Sequence, residues 1–287
     1  MLDVYFPIFS RLIRRRQTTA AGLLFALLIG CSHLIHADPG RLVIKGSTTI
    51  LPIATSIGEV FRQKYPDLDI QASGGGSGVG IKALIAGDAD IAISSTFITG
   101  EDIQLALQQG VYPVPFRIAN DCIMPVVNIR NPVTNLSRED LKRIYLGRVD
   151  NWKQLGGHDL PIKVVSRDEA SGTYQVWQHI IMNDETVNTD PTPRHSSIDV
   201  VRAVTENSGA IGYIGLGYLG SQVKPLRVNG VMGSSQSLHD GTYLISRPLF
   251  MFTNGWPSGK TLEYINFVLD PDKGQAMIEA ADYIPVN

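Results

Sequence analysis

Two hydrophobic periods alternate along this chain. Leu42-Val43-Ile44 is a short apolar run suited to a buried strand. Ile53, Ile57, Val60 and Phe61 then recur at helical spacing, which predicts a helix over 50–65 with those four on its apolar face, stopped by Pro66. Residues 68–72 alternate as a strand does, and 79–86 read as a helix capped by Gly87. Residues 91–93 form a third apolar run, and 101–109 a short helix ending at Gly110. The chain is apolar and extended over 122–127 and turns at Asn131-Pro132. At Ser137 it opens a helix with a serine cap and an acidic first turn, Glu139 and Asp140. Segments 161–165, 209–217, 224–228 and 247–253 read as strands, whereas 171–181, 198–206, 260–269 and 273–280 read as helices. The polar stretch 183–197 is a loop. This alternation predicts an α/β fold with helices layered on a sheet. Two α/β lobes are compatible with it, with crossovers near 122–127 and 243–248.

Composition narrows the class. The chain has 287 residues, is 44% hydrophobic and 18% charged, and has a mean hydropathy of +0.04, which excludes a disordered chain, a coiled coil and a polytopic membrane protein. Its formal charge of −2 argues against nucleic-acid binding as the main task. Two cysteines, Cys31 and Cys122, make no disulfide framework, and neither has a zinc-ligand spacing. The neighbours of Cys122 (Ile123, Met124, Pro125, Val126 and Val127) predict a buried, inert thiol.

The first forty residues read as an address. Arg11, Arg14, Arg15 and Arg16 precede an apolar run from Ala20 to Gly30, which is too short to span a bilayer and suits the apolar region of an export signal. The run ends Leu28-Ile29-Gly30-Cys31, a pattern similar to a bacterial lipobox, in which Cys31 is lipidated and becomes the mature N-terminus. The competing cut follows Ile35-His36-Ala37, an ordinary signal-peptidase site. Arg14-Arg15-Arg16 is similar to a twin-arginine signal, but the residues after it fit poorly. Losing residues 1–30 removes four arginines and Asp3, and takes the formal charge from −2 to −5.

The candidate chemistry lies in three polar segments, each following a predicted strand and opening a helix. They are Gly46-Ser47-Thr48-Thr49, Ser73-Gly74-Gly75-Gly76-Ser77-Gly78, and Arg167-Asp168-Glu169-Ala170-Ser171-Gly172-Thr173. A helix's first turn has unpaired N–H groups and the positive end of the dipole, glycines admit a ligand close to the backbone, and hydroxyls add donors. Each segment alone is also explained by a simple Ser or Thr cap. The stretch 74–80 has neither the Lys-Ser/Thr of a nucleotide P-loop nor a dinucleotide fingerprint. Three such turns at the carboxyl ends of strands would wrap a tetrahedral oxyanion, with Arg167 as bidentate charge.

On these residues the sequence resembles the phosphate-binding proteins of bacterial phosphate ABC importers, within the periplasmic-binding-protein superfamily. The likeness covers residues 41–287. It rests on Gly46-Ser47-Thr48-Thr49-Ile50-Leu51-Pro52, Gly74-Gly75-Gly76-Ser77-Gly78, Asp90-Ile91-Ala92-Ile93-Ser94-Ser95, Asn151-Trp152, and Ser166-Arg167 leading to Ser171-Gly172-Thr173. The resemblance implies a two-lobed type II fold, with two sheets flanked by helices and a ligand cleft between lobes joined by a two-crossover hinge. Lobe 1 would comprise 40–124 plus 246–287, and lobe 2 residues 125–245. It implies non-catalytic binding of inorganic phosphate in the periplasm or cell envelope, with delivery to a permease and its ATPase. No cofactor or metal is implied, and the protein would be a monomer touching the membrane only through a lipid on Cys31. By position, Thr48 is like the family's first-loop donor, with Ser47 and Thr49 beside it. Ser77 is like the second-loop hydroxyl, and Gly78 like a backbone donor. Ser94 precedes the selectivity position. Arg167 is like the phosphate-pairing arginine, and Ser171, Gly172 and Thr173 are like the second lobe's donor cluster. Many members carry an aspartate where this chain has Ser95; it accepts the proton of phosphate and so rejects sulfate. Asp168 or Glu169 is a candidate replacement.

Three rival readings keep part of this picture. An exported phosphatase finds no Gly-x-Ser-x-Gly elbow and no clustered metal ligands, and His158, His179, His195 and His239 are scattered. A surface phosphate sensor without a transport role would share the lipobox. Another oxyanion, such as sulfate or molybdate, would share the fold but not the Arg167 motif.

Overall fold

A computed structural model describes residues 40–188 and 193–286. The export signal, Cys31 and the alternative cut after Ala37 lie outside the described residues. Strand β1 (Arg41–Gly46) leads into helix α1 (Leu51–Lys64), followed by β2 (Asp69–Ser73), α2 (Ser77–Ala86), β3 (Ile91–Ser94) and α3 (Gly100–Gln108). β1 pairs in parallel with both β2 and β3, so the three strands end on the same edge. α1 forms because Ile53, Ala54, Ile57 and Phe61 fall on one buried face, and Pro52 sits harmlessly in its first turn. Val60 departs from the expected face and is 38% exposed, one position beyond the stripe that the other four define.

The long strand β4 (Pro113–Asn128) organises the rest. Beyond it come β5 (Asn135–Leu136), α4 (Arg138–Tyr145), β6 (Lys163–Val164), α5 (Gly172–Ile180) and α6 (Ser197–Glu206). Then follow β7 (Ala210–Gly215), β8 (Val223–Pro225), β9 (Arg227–Val228) and α7 (Ser235–His239). The chain closes with β10 (Ser246–Asn254), α8 (Gly259–Leu269) and α9 (Ala276–Ala280). α4 starts as expected, at a capping box in which Ser137 and Asp140 satisfy each other's backbone N–H.

The hydrogen-bonded path runs β2-β1-β3-β10-β4-β7-β6, with β8 also on β4 and a separate β5–β9 pair. β4 belongs to two sheets. Residues 113–122 pair antiparallel with β10, and residues 123–128 with β7 and β8. Apolar cores flank this change of partner. One gathers α1, β1–β3, Leu249, Met251 and the last two helices; a second gathers α2, Ala106, Phe250 and Phe252; a third gathers Ile123, Met124, Val126, Val127, Tyr145, Trp152, Trp177 and Tyr213. Trp177 of α5 stacks flat on Tyr213 of β7, centroids 4.4 Å apart. That contact seats α5 and fixes where its N-terminus points.

Candidate oxyanion site

The turns leaving β1, β2 and β3 lie side by side because their strands are parallel neighbours. Ser47 N–H donates to Ile93 O (2.8 Å), and Gly76 N–H to Gly46 O (2.9 Å). The third segment, after β6, arrives from the opposite core and meets them. Thr49 Oγ1 lies 3.1 Å from Thr173 Oγ1, at the start of α5. Gly78 N–H donates to Ala170 O at 3.1 Å. Two glycines permit this approach. Gly76 has φ +106°, and a Cβ there would sit 2.6 Å from Ala170 O. A Cβ on Gly172 would sit 2.5 Å from Ser77 Oγ and 2.8 Å from Ser95 Oγ.

The three segments therefore meet, and their predicted side chains, with Ser94 and Ser95, are all buried: Ser47, Thr48, Thr49, Ser77, Ser94, Ser95, Arg167, Ser171 and Thr173 are each at most 7% exposed. Their roles within the cluster differ. Ser171 caps α5, its Oγ accepting from Tyr174 N–H. Ser77 Oγ accepts from Ser95 N–H (3.0 Å) and lies 3.3 Å from Ser95 Oγ. Ser94 turns away and donates to Thr96 O. Gly78 N–H is committed to Ala170, so its contribution is to hold the second and third segments together. Thr48 Oγ1 is buried with no hydrogen-bond partner, the signature of a polar atom that a ligand would satisfy.

Arg167 is anchored by the loop before α6. Nε donates to Arg194 O (2.9 Å), Nη2 to His195 O (3.1 Å) and Nη1 to Ser197 Oγ (3.4 Å). A guanidinium has five N–H donors, so two remain for a ligand. Burial pulls this guanidinium below its ordinary value, and the neighbouring Asp168 carboxylate opposes that shift. Asp168 Oδ2 pairs with the exposed His195 at 3.1 Å, and Glu169 is exposed. Neither makes a hydrogen bond to Ser95 or Ser77 that would replace the absent aspartate.

Sequence reasoning missed a second charged pair. Arg247 of β10 faces Asp121 of β4 in register. Arg247 Nε and Nη2 donate to Asp121 Oδ2 at 3.1 and 2.8 Å, and Nη2 also reaches Thr49 Oγ1 at 3.3 Å. Asp121 Oδ1 accepts from Leu216 N–H (2.8 Å). Burial pushes the Asp121 carboxyl upward while Arg247 pulls against it. Two tyrosines were missed as well. Tyr218 OH donates to Thr48 O and Tyr283 OH to Thr49 O, both at 2.6 Å, so two further elements clamp the first turn. The available signal was a charge interrupting an apolar run: Asp121 directly before Cys122-Ile123-Met124, and Arg247 within Tyr243-Leu244-Ile245 to Phe252.

The arrangement offers hydroxyls, the unpaired amides of a helix start and guanidinium donors, with its one buried carboxylate already paired. It suits a small anion. Comparison with known proteins agrees. Residues 36–272 match the PBP superfamily domain. The chain is 31% identical over 283 residues to the phosphate-binding protein PstS of Staphylococcus aureus (strain USA300), covering 92% of this chain and 85% of that one. Among solved structures it is similar to a chain named as a phosphate ABC transporter substrate-binding protein, with bound phosphate, from Clostridium perfringens (32% identity, TM-score 0.78, 86% of this chain and 100% of the other). It is also similar to an ABC-type phosphate transport receptor from Vibrio cholerae (32%, TM-score 0.68, 85% and 99%). The chain belongs to the PBP superfamily, among its PstS-type phosphate-binding proteins.

Proposed function

We propose that this protein binds inorganic phosphate without catalysis outside the cytoplasm and presents it to the permease and ATPase of a phosphate ABC importer. The observation that carries the reading is the convergence of the three strand-to-helix turns, with the Thr49 and Thr173 hydroxyls 3.1 Å apart in a buried cluster. Phosphate would be held by Thr48, Thr49, Ser77, Ser95, Ser171, Thr173, the first amides of α5 and the two uncommitted N–H groups of Arg167. Burial from water strengthens each of these bonds, because the charge is not screened. The names of the relatives support phosphate as the ligand.

Residues 40–124 with 246–287 would act as one lobe and 125–245 as the other, with β4 and the start of β10 as the hinge strands. The apolar clusters support that division, two of them drawn from residues 42–119 and 249–283 and the third chiefly from 122–245. Closure about the hinge would bring the 167–173 segment onto the first two turns. Export through residues 1–30, with a lipid on Cys31, would place the protein as a monomer at the cell envelope.

Isothermal titration with phosphate, arsenate and sulfate, alongside a phosphomonoesterase assay, tests the reading. Phosphate should bind in a one-to-one complex with no hydrolysis of phosphate monoesters. Absence of phosphate binding, or turnover of a monoester, would overturn it.

A further inference from the structure

The Asp121–Arg247 pair has an uneven partnership. Both side chains are essentially sealed from solvent, at 0% and 2% exposed. Asp121 is fully engaged, with Leu216 N–H on one oxygen and Arg247 on the other. Arg247 is not, because its Nη1 is buried and has no hydrogen-bond partner. An unpaired charged donor in a dry interior is costly, and a bound anion is one partner that would satisfy it. The position fits that use. The neighbouring Nη2 is 3.3 Å from Thr49 Oγ1, which is itself 3.1 Å from Thr173 Oγ1. Thr48 Oγ1, another buried polar atom without a hydrogen-bond partner, belongs to the residue before Thr49.

Asp121 also settles the charge of the pair. A second lone guanidinium next to Arg167 would repel it, and Arg247 does act on Arg167 in that sense. Paired with Asp121, Arg247 brings strong donors while the pair stays close to neutral. The pair also sits where β4 changes partners: Cys122 still faces Ser246 of β10, whereas Ile123 faces Gly215 of β7. A donor on this crossing strand would touch the ligand from the hinge side, away from the three turns.

We propose that Arg247 is a ligand-contacting, specificity-determining residue of the oxyanion site, in which Nη1 donates to the bound anion while Nε and Nη2 remain on Asp121 and Thr49. This rests on the phosphate-binding reading above. The alternative is that Arg247 only orients Thr49 and braces the strand.

Phosphate titrations on Arg247→Lys, on the paired Asp121→Asn/Arg247→Gln variant, and on Arg247→Lys in a Thr49→Ala background separate these. A lysine keeps the charge on Asp121 but cannot span Asp121, Thr49 and the anion together. The paired amides remove the charge without leaving either partner alone, and Arg247→Lys stands by itself if that double variant does not fold. Phosphate affinity should fall at least tenfold in Arg247→Lys and in the paired variant. It should fall at least threefold further when Arg247→Lys is added to Thr49→Ala. Folded variants that bind within threefold of the parent, or an Arg247→Lys effect below threefold once Thr49 is alanine, overturn the proposal. If the unmodified protein binds no phosphate, the functional reading fails; if it binds and the Arg247 variants bind equally well, only this inference does.

Discussion

Removing the Arg167 side chain should weaken phosphate binding far more than removing the Thr49 hydroxyl, and the structure sets the gap. Arg167 commits three of its five N–H groups to Arg194 O, His195 O and Ser197 Oγ, leaving two for the anion. Charge-assisted hydrogen bonds contribute about 1.5–3 kcal/mol each, so two of them bound the loss at about 3–6 kcal/mol. Water entering the vacated space recovers part of that, which points to the lower end, about 3 kcal/mol or roughly a hundredfold in Kd. Thr49→Ala removes one neutral donor, about 1 kcal/mol or roughly fivefold. The assay is isothermal titration of phosphate into Arg167→Ala, Arg167→Lys and Thr49→Ala. Ligand-free melting curves accompany it, because Arg167→Ala also releases the 194–197 loop. Arg167→Lys keeps the charge but loses the fork, so it should fall between the other two. Equal losses for Arg167→Ala and Thr49→Ala, with melting temperatures unchanged, would refute the placement of the anion on Arg167.

Other expectations follow from the same geometry. Gly76→Ala places a Cβ 2.6 Å from Ala170 O at φ +106°; the mutant should lose about 1–3 kcal/mol in urea unfolding and bind phosphate more weakly, and an unchanged midpoint would contradict the close approach. Gly172→Ala should displace Ser77 Oγ from Ser95 N–H and lower phosphate affinity at least tenfold by titration, with only a small shift in ligand-free melting. Ser95→Asp restores a carboxylate where the turn after β3 meets Ser77, so sulfate should compete with phosphate at least tenfold less well; an unchanged competition ratio removes Ser95 from the account of selectivity. Burial holds the Cys122 thiol up to about 12, so in a Cys31→Ser background a disulfide reagent at pH 8 should label the chain only after denaturant is added.

The α/β class and most elements were legible because local periodicity carries them. The α1 face is written in Ile53, Ile57 and Phe61, and the cap of α4 in Ser137 and Asp140. Long-range pairing was less legible. The strand read as 122–127 runs from Pro113 to Asn128, because the prolines at 113 and 115 look like breakers until β10 is laid against them. The stretch read as one strand over 224–228 divides at Leu226 into β8 and β9, which pair with different partners. The short α7 carried too few apolar positions to register as a helix. The site divided along the same line. Residues in local turn chemistry, such as Ser47, Thr49, Ser77 and Ser171, were readable from their positions before helices. Ser94 and Gly78 share those motifs, but their polar atoms serve Thr96 O and Ala170 O.

Asp121 and Arg247 could not have been found that way, since they are 126 residues apart and meet only when β10 is laid antiparallel on β4. The physical reason they matter is the same as the reason they were hidden. A charge within an apolar strand is tolerated only when a distant strand supplies its partner, and breaking a buried pair by removing one member costs about 3–5 kcal/mol. Such a pair is therefore a structural commitment joining β4 to β10 at the place where β4 leaves one sheet for the other. Because Arg247 also reaches Thr49, the commitment couples the crossing strands to the turn after β1, the first of the three proposed to hold the anion. Tyr283 and Tyr218 extend the coupling, holding the Thr49 and Thr48 carbonyls from the C-terminal segment and from the turn after β7. An anion held by that turn would thereby be linked to the strands proposed as the hinge, and its binding would bias the relative position of the two proposed lobes.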